Sequence, residues 1–125
     1  MLKKISLFIL LISLGLSTTK AQDNPVHIKL SNKKVSACEY DLIFTASIDE
    51  PWHMYSLNKL ADDGPNPTVF TFKKSADYEL VGKVKQGAPL KEFDKVFEMN
   101  VEYFKHTATF TQRVKLLTDK KVSIK

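Results

Sequence analysis

The stretch EYDLIFTASIDEPWHMYS, residues 39–56, decides the fold class of this chain. Its first half alternates apolar and polar side chains, which is typical of a strand that buries one face. Its second half places Trp52, His53 and Tyr55 directly after a turn signal, DEP. A tryptophan beside a turn more often plugs the end of a sheet pair than binds a ligand, so we expect Trp52 to be buried there. The stretch therefore predicts a core strand followed by an aromatic rim element.

Alternation with a period of two continues along the rest of the chain. Further segments of this kind begin at Val26, Phe70, Phe97 and Ala108. Turn-type residues separate the segments at 31–34, 49–51, 62–67, 74–77, 86–89 and 105–106. About six or seven short strands at such spacing predict an all-β domain, an antiparallel β-sandwich of immunoglobulin-like type. At most one helical turn is expected, at residues 57–60.

Two features of this pattern are irregular. Gln112 interrupts the apolar face of the last segment, which indicates a bulge, a position near the rim of the strand, or a buried hydrogen bond. Residues 122–124 look like the start of another alternating strand, after a turn at 118–121. Because a sandwich that stops in mid-strand leaves an edge uncovered, we interpret the domain as incomplete at its C-terminus.

The N-terminus has the layout of a cleavable secretory signal peptide. Lys3 and Lys4 precede an apolar run of twelve residues, 5–16, and small and polar residues then lead to Ala21. The run is too short for a transmembrane helix, which needs about 20 apolar residues. We therefore expect a signal peptide over residues 1–21, a domain over 22–125, and a periplasmic or otherwise exported location with no membrane span after cleavage.

The charge balance argues against a nucleic-acid partner. Loss of residues 1–21 removes three of the 19 basic residues and no acidic one, which leaves 16 basic against 14 acidic residues, a net charge of +2. The lysine pairs that remain are typical of solvated strand ends and turns, not of a phosphate-binding patch.

The titratable residues form no metal or cofactor motif. Cys38, the one cysteine, is expected beside a hairpin turn as a fortuitous thiol, and it cannot alone form an intramolecular disulfide or a two-cysteine redox centre. We expect His27 and His106 to be exposed and His53 to be partly buried, and none of them has a second ligand at a metal-binding spacing. The few glycines form no phosphate-binding loop, so we expect no cofactor.

One aromatic residue stands in a polar segment. The segment APLKEFDK, residues 88–95, carries Phe93 among charged side chains ahead of a strand that begins near Val96. We expect Phe93 either to anchor this loop in the core or to act as a lid over a site. Trp52, Tyr55 and Phe93 together would form an aromatic surface if they were exposed.

Several stretches resemble the N-terminal domain family of the thiol:disulfide interchange protein DsbD, also called the disulphide bond corrector family. They are residues 39–56, DGPNPTVFTF at 63–72, YELVGKV at 78–84, and KEFDKVFEMNVEYFKHTATFTQRVKL at 91–116. The WHMYS element after a strand and the FEM strand after a loop are fairly specific together. The resemblance covers nearly all of the chain after residue 21.

The resemblance implies a redox function in the periplasm. Members of the family are immunoglobulin-like domains that take electrons from a DsbD-type membrane donor and pass them to periplasmic thioredoxin-like oxidoreductases, a route linked to cytochrome c maturation. The carrier is a cysteine pair, which a cap loop with an aromatic residue shields. By position, the resemblance assigns the cap loop to Lys91, Glu92, Phe93, Asp94 and Lys95. It places His53 and Tyr55 beside the cysteine pair.

The cysteine pair itself is missing from this chain. In the family it lies near the C-terminal end of the domain and is followed by a proline, so it is expected beyond Lys125, and Cys38 matches neither cysteine. No catalytic residue is therefore expected among residues 1–125, and enzymatic activity stays an open question. Two hypotheses remain: an interchange domain without its cysteines, or a non-catalytic immunoglobulin-like module that binds a partner or a ligand.

Overall fold

Residues 24–125 are described by the computed structural model, and the predicted signal peptide, residues 1–21, lies outside them. These residues form seven β-strands and no helix, which confirms the predicted all-β class. The strands are β1 Val26–Lys34, β2 Glu39–Ile48, β3 Met54–Tyr55, β4 Tyr78–Gln86, β5 Leu90–Asp94, β6 Met99–Phe104 and β7 Thr107–Leu116.

The strands form two antiparallel sheets. One sheet has four strands in the order β1-β2-β7-β4, and the other has three in the order β3-β6-β5. The chain changes sheet between β2 and β3, between β3 and β4, between β4 and β5, and between β6 and β7. This arrangement is consistent with a β-sandwich. Within residues 24–125, no helix is long and apolar enough to cross a membrane.

Aromatic packing between the sheets forms the core. Residues of even number in β2 and β7 share one face, because Phe44 pairs with Phe110 in the register. The ring of Phe110 lies 5.0 Å from that of Phe70 and 5.6 Å, nearly perpendicular, from that of Phe104 on β6. Phe70 in turn lies 5.0 Å from Phe44, so one chain of rings joins both sheets.

Polar contacts hold the long connection between β3 and β4 to strands β6, β3 and β4. The Ser56 hydroxyl is buried and donates to Glu102 Oε1 (3.2 Å), which also accepts from Asn58 Nδ2 (2.9 Å). Thr68 Oγ1 donates to the Tyr55 carbonyl (2.6 Å), and the amide of Leu57 donates to Gln86 Oε1 (2.8 Å). These bonds hold the segment that carries Phe70 against the core, although no strand pairs with this segment.

Several strand boundaries differ from the sequence expectation. Residues 31–34 continue β1 and do not turn, because each of them pairs with β2; the turn falls at 35–38. Residues 70–72 are not a strand, although Phe70 and Phe72 both pack against Phe44. Residues 57–60 form no helical turn, and residues 121–125 form no strand. In each case the choice depends on whether a partner strand is within reach, which local propensity does not encode.

Gln112 is explained by a bulge on the neighbouring strand. The β4–β7 register shifts between Val81 and Lys85, opposite Gln112. The Gln112 side chain is 1% exposed, and its Nε2 donates to the carbonyls of Arg113 (2.7 Å) and Gly82 (3.2 Å). A buried side-chain amide can replace the backbone hydrogen bonds between strands that a bulge removes. The expected bulge and the expected buried hydrogen bond therefore occur together.

We predict that Gly82→Ala destabilises the domain by about 1 kcal/mol, because Gly82 has φ +73° inside the bulge and an alanine is strained there. Gly87→Ala is the matched control, since an added Cβ meets nothing within 4 Å at either glycine but Gly87 lacks the positive φ. Gly87→Ala should stay within about 0.5 kcal/mol of the parent in urea unfolding. Equal losses for both variants would contradict the strain at Gly82.

Candidate functional site

The outer side of the three-stranded sheet carries an open cleft of ≈ 370 Å³. Its lining residues are His53, Tyr55, Glu92, Phe93, Asp94, Lys95, Val96, Val101 and Tyr103. The structure therefore brings the two predicted flanking residues, His53 and Tyr55, together with four of the five predicted cap residues. Lys91 is not part of the lining.

Strand register explains why these side chains meet. Tyr55 of β3 and Leu90 of β5 both pair with Tyr103 of β6, so all three lie on one face of the sheet. Met54 and Phe104 occupy the opposite face and pack into the core. The cleft floor is thus the back of a sheet whose other side the aromatic core holds in place.

Tyr103 is the central residue of the cleft. It is buried, its hydroxyl donates to Glu92 Oε2 at 2.5 Å, and its ring lies 4.6 Å from the His53 ring at a tilt of 44°. The hydrogen bond to the Glu92 carboxylate raises the pKa of Tyr103 above 10.0, and burial and the carboxylate charge act in the same direction. The phenol is therefore a fixed hydrogen-bond donor at neutral pH.

The predicted cap loop is a strand and a turn. Leu90–Asp94 form β5, because all five residues pair with β6, and the turn follows at 95–98. Asp94 Oδ1 shapes that turn by accepting from the amides of Val96 (2.7 Å) and Phe97 (3.1 Å). The prediction of a loop at these residues was wrong. The charged side chains of this exposed edge strand hide the apolar–polar alternation by which a strand is recognised. The shielding role itself stays a prediction.

Phe93 lines the cleft and is 59% exposed, and its pairing with Asn100 places it on the face of β5 opposite to Glu92. A side chain with that exposure does not anchor β5 in the core. Of the two roles expected for it, the exposure favours the lid.

Trp52 and His53 are more exposed than expected. Trp52 does not plug the sandwich: it is 58% exposed and follows a turn in which its amide donates to the Asp49 carbonyl (2.8 Å). Val26, Met54 and Leu57 pack against the core cluster, and Trp52 is not among the residues that do so. His53 is exposed and not partly buried, with one ring face on Tyr103.

His27 and His106 are exposed, as predicted. Each lies beside a carboxylate, His27 Nε2 at 3.2 Å from Asp49 Oδ2 and His106 Nδ1 at 3.4 Å from Glu50 Oε1. Residues 24–125 hold no group of three or more His, Cys, Asp or Glu side chains that could bind a metal ion.

Cys38 lies away from the cleft. It is an exposed free thiol in the turn between β1 and β2, as predicted. It lines a second cavity of ≈ 650 Å³, where Leu42, Val114 and Ile124 are also found. No cysteine of the described residues reaches the Tyr103 cleft, so the cleft has no thiol of its own.

Tyr103 was not singled out from the sequence. The alternation that begins at Phe97 puts Val101 and Tyr103 on its apolar face and so predicts that they face the core, whereas Phe104 packs into the core and Tyr103 faces the cleft. Tyr103 and Phe104 are consecutive and both buried, whereas a strand with one buried face alternates apolar and polar residues. Two adjacent aromatic residues were therefore the available signal that β6 is covered on both faces.

Comparison with known proteins leaves the family undecided. A scan against protein-family models, a search of curated proteins and a search of solved structures each returned no match to this chain. The chemistry of the cleft therefore rests on the residues that line it.

We predict that Phe93→Ala lowers the free energy of unfolding by less than about 1 kcal/mol, because the ring is already largely in water. Phe110→Ala is the matched control, since Phe110 is 1% exposed and its truncation should cost about 3–5 kcal/mol. Urea unfolding of both variants measures the difference. A loss of the larger size at Phe93 would show that it anchors β5 after all.

We predict that Glu92→Ala brings the titration of Tyr103 back toward 10.0. The shift is seen as the difference in near-ultraviolet absorbance between each protein and its Tyr103→Phe counterpart as pH rises. Glu79→Ala, an exposed glutamate on β4, is the control and should leave the titration unchanged. Because the folded pKa is raised, the contribution of this hydrogen bond to stability is present below pH 10.0 and is lost as pH rises through the folded pKa.

Proposed function

We propose that this chain is the scaffold and shielding segment of a periplasmic thiol–disulfide interchange domain with an immunoglobulin-like fold, similar to the N-terminal domain of DsbD. Its redox cysteine pair would come from sequence outside residues 1–125. The observation that carries this proposal is the cleft. Residues assigned by resemblance to two separate stretches, His53 and Tyr55 on one side and Glu92 and Phe93 on the other, line the same concavity.

The lining suits the control of a reactive disulfide. Exchange requires a thiolate to reach a sulfur atom, so an aromatic side chain at the mouth slows attack by small thiols. Phe93 has that position, and its exposed edge strand gives an incoming protein a way to displace it. The Glu92 carboxylate would raise the pKa of a neighbouring thiol and reduce the thiolate fraction. Both effects would keep the pair unreactive until a partner docks.

The proposed electron route uses two partners. A DsbD-type membrane donor reduces the domain's disulfide to a dithiol. The dithiol then reduces the active-site disulfide of a periplasmic thioredoxin-like protein, passes it two electrons and two protons through a mixed disulfide, and becomes a disulfide again. The predicted signal peptide supports export to that compartment.

A second candidate is a non-catalytic partner-binding or ligand-binding module. The observation that favours it is the position of the only thiol of residues 24–125, since Cys38 lies on another cavity. Under this alternative, the exposed Trp52 and Phe93 and the donor hydroxyl of Tyr103 would serve recognition alone.

The source reading frame separates the two candidates. A cysteine pair followed by a proline within about 40 residues of Lys125, the length of one or two further strands with their turns, supports the interchange domain. A stop codon directly after Lys125 would rule it out for this polypeptide. We also expect the isolated chain to show no reversible two-electron dithiol couple, because it has one cysteine. A measured midpoint potential for such a couple would contradict that.

We predict that an oxidised periplasmic thioredoxin-like protein perturbs the amide signals of His53, Tyr55 and Phe93 in a nuclear magnetic resonance titration. Phe93→Ala should lower the affinity for this partner by about tenfold, since central aromatic residues dominate such contacts. Leu80→Ala is the control, because Leu80 is 45% exposed and lies on β4 of the other sheet. Absence of any perturbation at the cleft, or an equal effect of both variants, would overturn the docking site.

A further inference from the structure

No strand among residues 24–125 pairs with the outer edge of β1. β1 is the first strand of its sheet, and its nine residues pair with β2 on one side only. Edge strands present unpaired amide and carbonyl groups that can accept another strand. Nine residues are a long edge, compared with a typical strand of about five or six.

The alternation of backbone hydrogen bonds along β1 shows which amide and carbonyl groups point to the open edge. Just outside the two ends of β1, the amide of Asp49 donates to the Pro25 carbonyl (2.8 Å), and the amide of Val35 donates to the Glu39 carbonyl (2.9 Å). Residues of odd number therefore bond to β2, and those of even number point their amide and carbonyl groups to the open edge. Consistent with this, the Val26 amide points to the edge and donates to Asn24 Oδ1 (3.0 Å).

The core-facing row of β1 is apolar and uncovered. Ile28 and Leu30 lie on the same side as Ala46 and Phe44 of β2, yet each is 60% exposed. The ≈ 650 Å³ cavity continues along this side from Asn32. A strand beside β1 would cover both side chains and satisfy the open backbone groups at once.

The opposite row of β1 is basic. Lys29 and Lys33 are exposed on that side, and no carboxylate of residues 24–125 lies within 4.0 Å of either ammonium group. Asp41 pairs with Lys33 in the β2 register, but its carboxylate binds the Arg113 guanidinium at 2.9 and 3.2 Å. The two lysines are thus available to carboxylates on an added strand.

A second copy of this chain meets a charge conflict in the register that aligns the apolar side chains of both edges. In the antiparallel register that places Ile28 of one copy opposite Leu30 of the other, Lys29 lies directly opposite Lys29. Like charges in that position are destabilising. Edge lysines of this kind prevent self-pairing, and they do not oppose a strand with acidic side chains.

We propose that β1 binds an extended segment of another polypeptide as an added antiparallel strand, with apolar side chains opposite Ile28 and Leu30 and carboxylates opposite Lys29 and Lys33. The open amide and carbonyl groups of β1 would bond to the backbone of the added strand. The apolar row and the basic row of β1 set which side chains that strand must carry. This surface lies on the sheet that does not carry the Tyr103 cleft, so its binding is independent of the function proposed for the cleft.

Two synthetic peptides test the charge pattern. ETTVEIT places its glutamates opposite Lys33 and Lys29 and its valine and isoleucine opposite Leu30 and Ile28. ETTVKIT differs only opposite Lys29. In a nuclear magnetic resonance titration of the exported chain, we expect the amide signals of β1 to shift with ETTVEIT, and ETTVKIT to bind about fivefold more weakly. In Lys29→Glu the preference should reverse. Lys29 faces Thr45 on β2, so this variant brings no carboxylate next to another.

Two controls separate strand addition from other modes. ETTPEIT should not bind, because its proline removes an amide needed opposite Leu30. Phe93→Ala should leave binding of ETTVEIT unchanged, which keeps this result separate from any result at the cleft. Failure of ETTVEIT to bind, equal binding of both peptides, or binding of the proline peptide would each overturn the proposal. So would dimerisation of the chain through β1 in sedimentation.

Discussion

The packing of Phe110 between the sheets is the contact on which the rest of the structure depends. Phe110 is fully enclosed on β7, and its ring meets Phe104 from the three-stranded sheet and Phe70 from the long connection. With no disulfide within residues 24–125, apolar burial of this kind must offset the conformational entropy lost on folding. Since Phe104 and Tyr103 are neighbours on β6, the same contact that fixes the core also fixes the floor of the cleft.

Strand β6 therefore has two buried faces with different chemistry. One face places Phe104 in the core, whereas the other carries a phenol bonded to a carboxylate beside a histidine ring. On the neighbouring sheet, the buried Gln112 Nε2 donates to the β4 bulge and to its own strand. The irregular polar residues of this domain thus each have a local partner, and none is left to weaken the core.

The sequence predicted the fold class better than it predicted exposure. The alternation at residues 39–48 and 107–116 fits β2 and β7 because these central strands are paired on both sides and buried on one face. It failed where a residue's environment depends on distant parts of the chain. Trp52 is 58% exposed beside the turn that follows β2, and residues 91–94 are a strand because β6 lies beside them. Six of the nine residues that line the cleft came from resemblance, and the other three, Val96, Val101 and Tyr103, were found only from the structure.

The two candidate surfaces carry different charges, which makes them separable in one molecule. The cleft combines aromatic rings with side chains of both signs, Glu92, Asp94 and Lys95. The β1 edge combines open backbone groups with two exposed ammonium groups, and attraction between exposed charges is screened within about 10 Å at 0.1 M salt. Salt therefore weakens the binding of a carboxylate-bearing strand at the edge, whereas replacement of Lys29 leaves the charges that line the cleft unchanged. The charge of Lys29 thus distinguishes a partner on one sheet from a partner on the other.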